Sequence, residues 1–107
     1  MQQFYAVRTT AAFDGWMRSL RDAKGRAQIL ARIKRVRAYG HFGDCDGVGE
    51  GVSEMRIHVG PGYRVYFTLE GRESVLLLCG GDKSSQGRDI ARAKAMARTG
   101  VSDERDA

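Results

Sequence analysis

GVSEMRIHVGPGYRVYFTLEGRESVLLLCGGDKSSQ, residues 51–86, decides the fold. It contains three short runs, two turn signals and a glycine-rich corner. From Val52 to Val59 the residues alternate, with Met55, Ile57 and Val59 on one face and Glu54, Arg56 and His58 on the other. From Tyr63 to Leu69 they alternate again: Val65, Phe67 and Leu69 share one face, Arg64, Tyr66 and Thr68 the other. A period of two marks a strand with one buried face. Gly60-Pro61-Gly62 supplies a turn, because glycine tolerates positive φ and proline presets φ. The tightest register pairs Val59 with Tyr63, and therefore Ile57 with Val65 and Met55 with Phe67. It also sets His58 opposite Arg64 and Arg56 opposite Tyr66.

The third run, Ser74 to Cys79, follows a turn at Gly71-Arg72 and is apolar on both faces. That composition suits a strand in the interior of a sheet. It leads into Gly80-Gly81-Asp82-Lys83-Ser84-Ser85-Gln86, where two glycines allow a bend. Ser84 or Ser85 is the expected cap of the next helix, and Lys83 stands at the corner between strand and helix.

Outward from this block, Gln3 to Arg8 reads as a first strand. Thr9 or Thr10 caps a helix with Phe13, Trp16, Met17 and Leu20 on one stripe. A second helix runs from about Arg26 to Tyr39, ended by Gly40. Its apolar stripe is Ile29, Ile33 and Val36, and Arg26, Arg32, Lys34, Arg35 and Arg37 cover the rest. Such a basic face is either simply solvated or set against phosphates or an acidic partner. His41 to Glu50 is rich in glycine and aspartate and holds a short strand around Phe42 to Val48. Its aspartates lack the spacing and terminal glutamate of a calcium loop. A last helix spans Gln86 to Arg98, with Ile90, Ala93 and Ala97 inward. The order β-α-α-β-β-β-β-α predicts an α+β domain over residues 1–98: a mainly antiparallel sheet with helices packed on one face. Residues 99–107 read as a flexible polar tail.

The whole chain has 107 residues, enough for one domain with its own core. Eighteen Lys and Arg against 13 Asp and Glu give a net charge of +5, which favours an anionic partner. Cys45 and Cys79 form no CxxC pair and are expected to stay reduced, in keeping with a cytoplasmic protein. No stretch approaches the ~20 apolar residues needed to span a bilayer, and without a basic region followed by an apolar core near Met1 no signal peptide is expected. No zinc-type Cys/His spacing and no Ser-His-Asp arrangement appears, so neither a metal nor another cofactor is expected.

Chemistry concentrates on the polar side of the hairpin, where Arg56, His58, Arg64 and Tyr66 gather near Lys83. On the alternation, neither Arg64 nor Lys83 belongs to the core. Arginine and lysine suit phosphates and a tyrosine suits base stacking, the needs of single-stranded nucleic acid. The same set suits metal-free RNA cleavage. There the ribose 2′-OH attacks phosphorus, cations stabilise the phosphorane, and a base and an acid move the protons. His58, Tyr66 or a lysine of lowered pKa are the candidates for proton transfer.

The segments GVSEMRIHVGPGYRVYF and LLLCGGDKSSQGRDIARAKAMA resemble small toxins of bacterial toxin–antitoxin modules, as does FDGWMRSLRDAKGRAQILARIKRVRAYGHFGD. The likeness is to the RelE/ParE superfamily, in its HigB-like branch of addiction-module killer proteins. It implies a compact α+β toxin that cleaves messenger RNA on the ribosome, and a small helix-turn-helix antitoxin as partner. It carries over Arg56, Arg64, Lys83 and Gln86 as site residues; Arg32, Lys34, Arg35 and Arg37 are candidate RNA contacts from the basic helix face alone. Where the family often has a basic residue after GDC, this chain has Asp46. Two alternatives stay open: a ParE-like inhibitor of DNA gyrase without nuclease activity, and a phage-derived nucleic-acid-binding protein that is not toxic.

Overall fold

The computed structural model describes residues 3–100 and the backbone of 104–106. The elements are β1 (Ala6–Thr10), α1 (Ala11–Ser19), α2 (Ala23–Tyr39), β2 (Cys45–Gly49), β3 (Val52–Ile57), β4 (Tyr63–Glu70), β5 (Ser74–Asp82), a 3-10 turn (Lys83–Ser85), α3 (Gln86–Thr99) and β6 (Glu104–Asp106). The sheet order is β2-β3-β4-β5-β1-β6, antiparallel except for the β1–β5 pair. The domain is therefore α+β. Of the tail expected after Arg98, Thr99 still belongs to α3, Gly100 caps that helix and Glu104–Asp106 pairs with β1; its other residues lie outside the described ones.

Local chemistry sets the helix ends. Thr10 accepts a hydrogen bond from the Phe13 amide at 3.0 Å and starts α1. Asp22 caps α2 through the Gly25 amide at 3.0 Å, and Gly40 ends that helix in the left-handed region at φ 69°. At the third helix Ser85 is the N-cap, as expected, although its side chain makes no capping hydrogen bond there; Asp82 caps the 3-10 turn before it, accepting from the Ser84 amide at 2.9 Å. The Ser85 side chain returns toward the Asp82 amide, completing a capping box around the 3-10 turn.

The helices do not share one face, as the sequence suggested. α1 and α2 cover the side carrying Val7, Met55, Ile57, Tyr63, Val65, Phe67, Val75 and Leu77. α3 covers the other, where Ala93 and Ile90 pack on Val52, Tyr66, Leu76, Leu78 and Cys79. The double cover follows from β5 itself. A strand apolar on both faces needs an apolar layer on each, since leaving a Leu exposed forfeits about 1.5–3 kcal/mol. A bulge sharpens this: Tyr66 pairs with Cys79 and Phe67 with Leu77, so Leu78 is the extra residue. Leu78 and Cys79 thus both face α3, and the Thr10 hydroxyl donates to the Leu78 carbonyl at 2.6 Å.

The β3–β4 hairpin differs from the expected register by two residues. Ile57 pairs with Tyr63, Arg56 with Arg64, Met55 with Val65 and Glu54 with Tyr66. β3 ends at Ile57, and residues 58–62 form a wider loop closed by the Gly62 amide on the Val59 carbonyl at 3.1 Å. An even shift keeps every side chain on its expected face while changing every partner. His58 consequently leaves the strand for the loop.

Gly80 and Gly81 do not bend the chain. Both lie inside β5, and a β-carbon on Gly80 would collide with the Trp16 ring, one on Gly81 with Asp89. They are small so that neighbours on opposite sides of the strand can touch its backbone. Cys45 and Cys79 are free, and they face opposite sides of the sheet with β3 and β4 between them. Strands stand about 4.8 Å apart, so no disulfide spans that gap. No helix among the described residues is long and apolar enough to cross a membrane.

Candidate functional site

The polar cluster is built on the α3 side of the hairpin. Even-numbered positions of β3 and β4 point there, which brings Glu54, Arg56, Arg64 and Tyr66 together. Its centre is Glu54, which is 1% exposed. Arg56 Nη1 donates to its Oε1 at 3.0 Å. The Tyr66 hydroxyl and the Gln86 amide donate to its Oε2 at 3.2 and 2.8 Å, and Arg64 Nε stands 3.7 Å from the same oxygen. A buried carboxylate needs such compensation, because an unpaired charge out of water is costly. Gln86 reaches Glu54 because α3 begins just past the end of β5.

Glu54 was absent from the candidate set. Its signal was present, for a lone carboxylate among basic residues on one strand face is the natural acceptor for all of them. Read one strand at a time, that face looks open to solvent, and Glu54 shows only as a pairing option for Arg56, not as the shared acceptor of Tyr66 and Gln86.

The structure changes the roles available to several candidates. Tyr66 is fully buried and is held by Glu54, so it offers no face for stacking on a base. Burial and the neighbouring carboxylate push its phenol well above the ordinary range. The side chain of Arg64, assigned to solvent by the alternation, is 11% exposed. Its Nη1 donates to the Gly62 carbonyl at 2.9 Å, while its Nε is buried without a hydrogen bond. Arg56 is saturated: Nε and Nη2 meet Asp44 at 3.2 and 2.9 Å, and Nη2 meets Asp46 at 2.7 Å. These partners raise its pKa further, while Arg56, with His58 after it, holds the Asp44 carboxyl far below the usual range. His58 is exposed and contacts Asp44 at 2.5 Å.

Lys83 is exposed, and no hydrogen bond or ion pair engages it among the described residues. It lies beside Arg64 across Gly62. A β-carbon on Gly62 would stand 3.3 Å from Arg64 Nη1 and 3.7 Å from Lys83 Cβ. The register agrees, with Arg64 opposite Gly81 and Tyr63 opposite Asp82. Arg64, Lys83, Gln86 and Arg56 therefore converge on one edge of the domain. Formal charge gives no positive excess there, since Asp44, Asp46, Glu54 and Asp82 oppose Arg56, Arg64 and Lys83.

The α2 candidates divide. Arg32 is a strut: it donates to the carbonyls of Arg56 at 2.9 Å and Phe42 at 2.7 Å, tying the 42–44 loop to β3. Desolvation lowers its pKa. Lys34 and Arg35 are exposed on the helix, while Arg37 lines a hollow of about 290 Å³ with Val7, Phe13, Leu30 and Ile33. The structure does not bring these residues into the Glu54 cluster. Among the described residues no group of His, Cys, Asp or Glu is arranged to hold a metal ion.

Two comparisons with known proteins bear on this arrangement. A Haemophilus influenzae protein described as uncharacterised is 47% identical over 92 residues, which is 86% of this chain and 92% of that protein. The profile of the phage-derived Gp49-like proteins matches residues 15–99, a span holding both hairpin strands, the Lys83 corner and α3. The chain belongs to this Gp49-like family, an addiction-module toxin family related to the RelE-like toxins.

Proposed function

We propose that the protein is the toxin of a type II toxin–antitoxin module of the HigB-like kind. On this reading it is a cytoplasmic, metal-independent endoribonuclease that cuts messenger RNA on the ribosome. The observation that carries it is the meeting of Arg64 and Lys83 at Gly62, beside a carboxylate that holds Arg64 and Gln86 in place. Lys83 faces solvent and supplies a mobile cation to a non-bridging phosphate oxygen. Arg64, restrained at two points, supplies a fixed one. Together they favour the phosphorane formed when the 2′-OH attacks, since charge stabilisation in place before reaction needs no reorganisation. On this reading His58, exposed at the loop, and Lys83 exchange protons with the 2′-OH and the leaving 5′-oxygen. A helix-turn-helix antitoxin would cover this edge.

The test is induction of the chain in growing cells, with primer extension on their messenger RNA. New RNA ends that appear with growth arrest, and vanish for a folded Arg64→Ala, Lys83→Ala double variant, support the reading. Growth arrest without new ends assigns the protein to gyrase inhibition instead. Undiminished cleavage by the double variant moves the site elsewhere on the chain.

A further inference from the structure

The Arg56 guanidinium presents two edges. Its Nη1 is taken by Glu54, which is buried and has three other partners. Its Nε–Nη2 edge is the fork that elsewhere grips two oxygens of a phosphate. Here the two oxygens of Asp44 fill that fork, at 3.2 and 2.9 Å, and Asp46 adds a third contact at 2.7 Å. Asp44 thus stands where a phosphate's two oxygens would stand.

Glu54 and the two aspartates differ in freedom. The side chains of Asp44 and Asp46 are 44% and 71% exposed, against 2% for Glu54. The Asp44 backbone is pinned, because the Arg56 amide donates to its carbonyl at 2.8 Å and Arg32 reaches the same oxygen at 3.4 Å. Its side chain has a second partner in His58 at 2.5 Å. Rotation of two exposed side chains, without movement of the strand, therefore frees the fork. Glu54 meanwhile keeps the guanidinium in place.

We propose that Asp44 and Asp46 are an internal competitor for RNA: they occupy the Arg56 fork in the free protein, and an RNA phosphate takes their place. This rests on the RNA-cleaving function proposed above. The pair sets the affinity of the site. It also keeps a strongly basic chain from holding every polyanion it meets, since RNA must displace the carboxylates to gain its Arg56 contact. Binding energy spent on that exchange lowers affinity for short or poorly placed RNA more than for RNA held elsewhere as well.

The experiment measures binding of a fluorescein-labelled single-stranded RNA of roughly 12 nucleotides by anisotropy at ~100 mM salt. The RNA carries 2′-O-methyl groups, which remove the attacking hydroxyl and prevent cleavage. The proteins are the wild type, Asp46→Asn, Asp44→Asn with Asp46→Asn, Arg56→Gln, and the triple variant. Circular dichroism and melting confirm that each is folded. The double asparagine variant should bind about tenfold more tightly, and its log–log salt slope should steepen by about one contact. Asp46→Asn alone should gain about threefold. In the Arg56→Gln background the asparagines should give no more than about twofold, the part due to net charge alone. A gain of equal size with and without Arg56 overturns the proposal, leaving only general electrostatics. No gain in either background overturns it too. If induced wild type cuts messenger RNA in either case, the proposed function survives this failure. If no variant binds RNA and induction leaves messenger RNA intact, both readings fall together.

Discussion

The two faces of the sheet follow different rules. Under α1 and α2, the layer from Val7 to Leu77 is almost wholly apolar and is explained by burial, with the Tyr63 hydroxyl donating at its rim to Asp22 at 2.8 Å. Under α3, the apolar patch is smaller and surrounds Glu54, Tyr66 and Asp89, polar groups that are buried and hydrogen-bonded. Ser85 donates to Asp89 at 2.5 Å, so even the far end of this face carries a polar pair. Buried ionic networks are weak sources of stability compared with apolar packing of the same volume. The first face makes the domain, while the second keeps charges in fixed positions, which the folding of a small sheet does not require.

The strongest way to break the comparison is Glu54→Ala. It leaves Arg64 nearly buried with only the Gly62 carbonyl, and removes the acceptor shared by Tyr66 and Gln86. Loss of one partner of a buried ion pair costs about 3–5 kcal/mol, measured as a fall in the urea midpoint at unchanged slope. A cost under ~1 kcal/mol would show that the second face is as tolerant as a solvated surface. The matching change on the first face is Leu77→Ala, 2% exposed in the core. It should cost about 3 kcal/mol by the removed methyl groups and the cavity. Activity per folded molecule should survive it, and a proportionate loss would tie catalysis to both faces.

The faces also differ in how far they could be read from sequence. Alternation in β3 and β4 assigned Met55, Ile57, Val65 and Phe67 to the core face correctly, because one face is continuously apolar and slippage by one residue would expose it. It could not assign partners. A slip of two leaves the same faces buried, and the loop from His58 to Gly62 decided between the registers. The polar face was misread for a different reason. Its residues look solvated one strand at a time. Only the placement of α3, with its narrow stripe of Ile90, Ala93 and Ala97, puts Tyr66 and Glu54 under cover. The position of the Lys83 corner was legible because it is local, a strand end followed by a cap; the role of Gly80 and Gly81 was not, since the Trp16 ring and Asp89 that press on them come from other elements. Arg32 was not, since its partners are backbone carbonyls that no side-chain pattern announces.

Lys83 separates the effects that Glu54 combines. It is exposed, so Lys83→Ala should change stability by no more than about 0.5 kcal/mol. On the proposed function, cleavage should fall by ~10² or more, about 2.7 kcal/mol of transition-state stabilisation. The reading is primer extension on induced cells at matched protein level. Arg64→Lys should lie between wild type and Arg64→Ala, because an ammonium replaces the charge but not the fork. Equal cleavage by all of these would detach the polar face from catalysis and leave it as a folding feature.

The smallest effect expected is also specific to the second face. Burial pushes the Cys79 thiol from 9.0 up to about 11, and Tyr66 is raised as well. Both are acids held neutral by the fold, so the unfolded chain gives up these protons at lower pH than the folded one. Stability from this source is complete below about pH 9 and is lost as the pH rises to 11, the region where the unfolded state carries fewer protons. Urea midpoints taken from pH 8 to 11 should decline across that window, and Cys79→Ala should flatten the decline. A matching prediction concerns reactivity: at pH 8 the native Cys79 should alkylate at least ~10² times more slowly than in urea, from thiolate fraction alone. An alkaline decline untouched by Cys79→Ala would place the titrating groups elsewhere, and would make the polar face less sealed than its buried carboxylate implies.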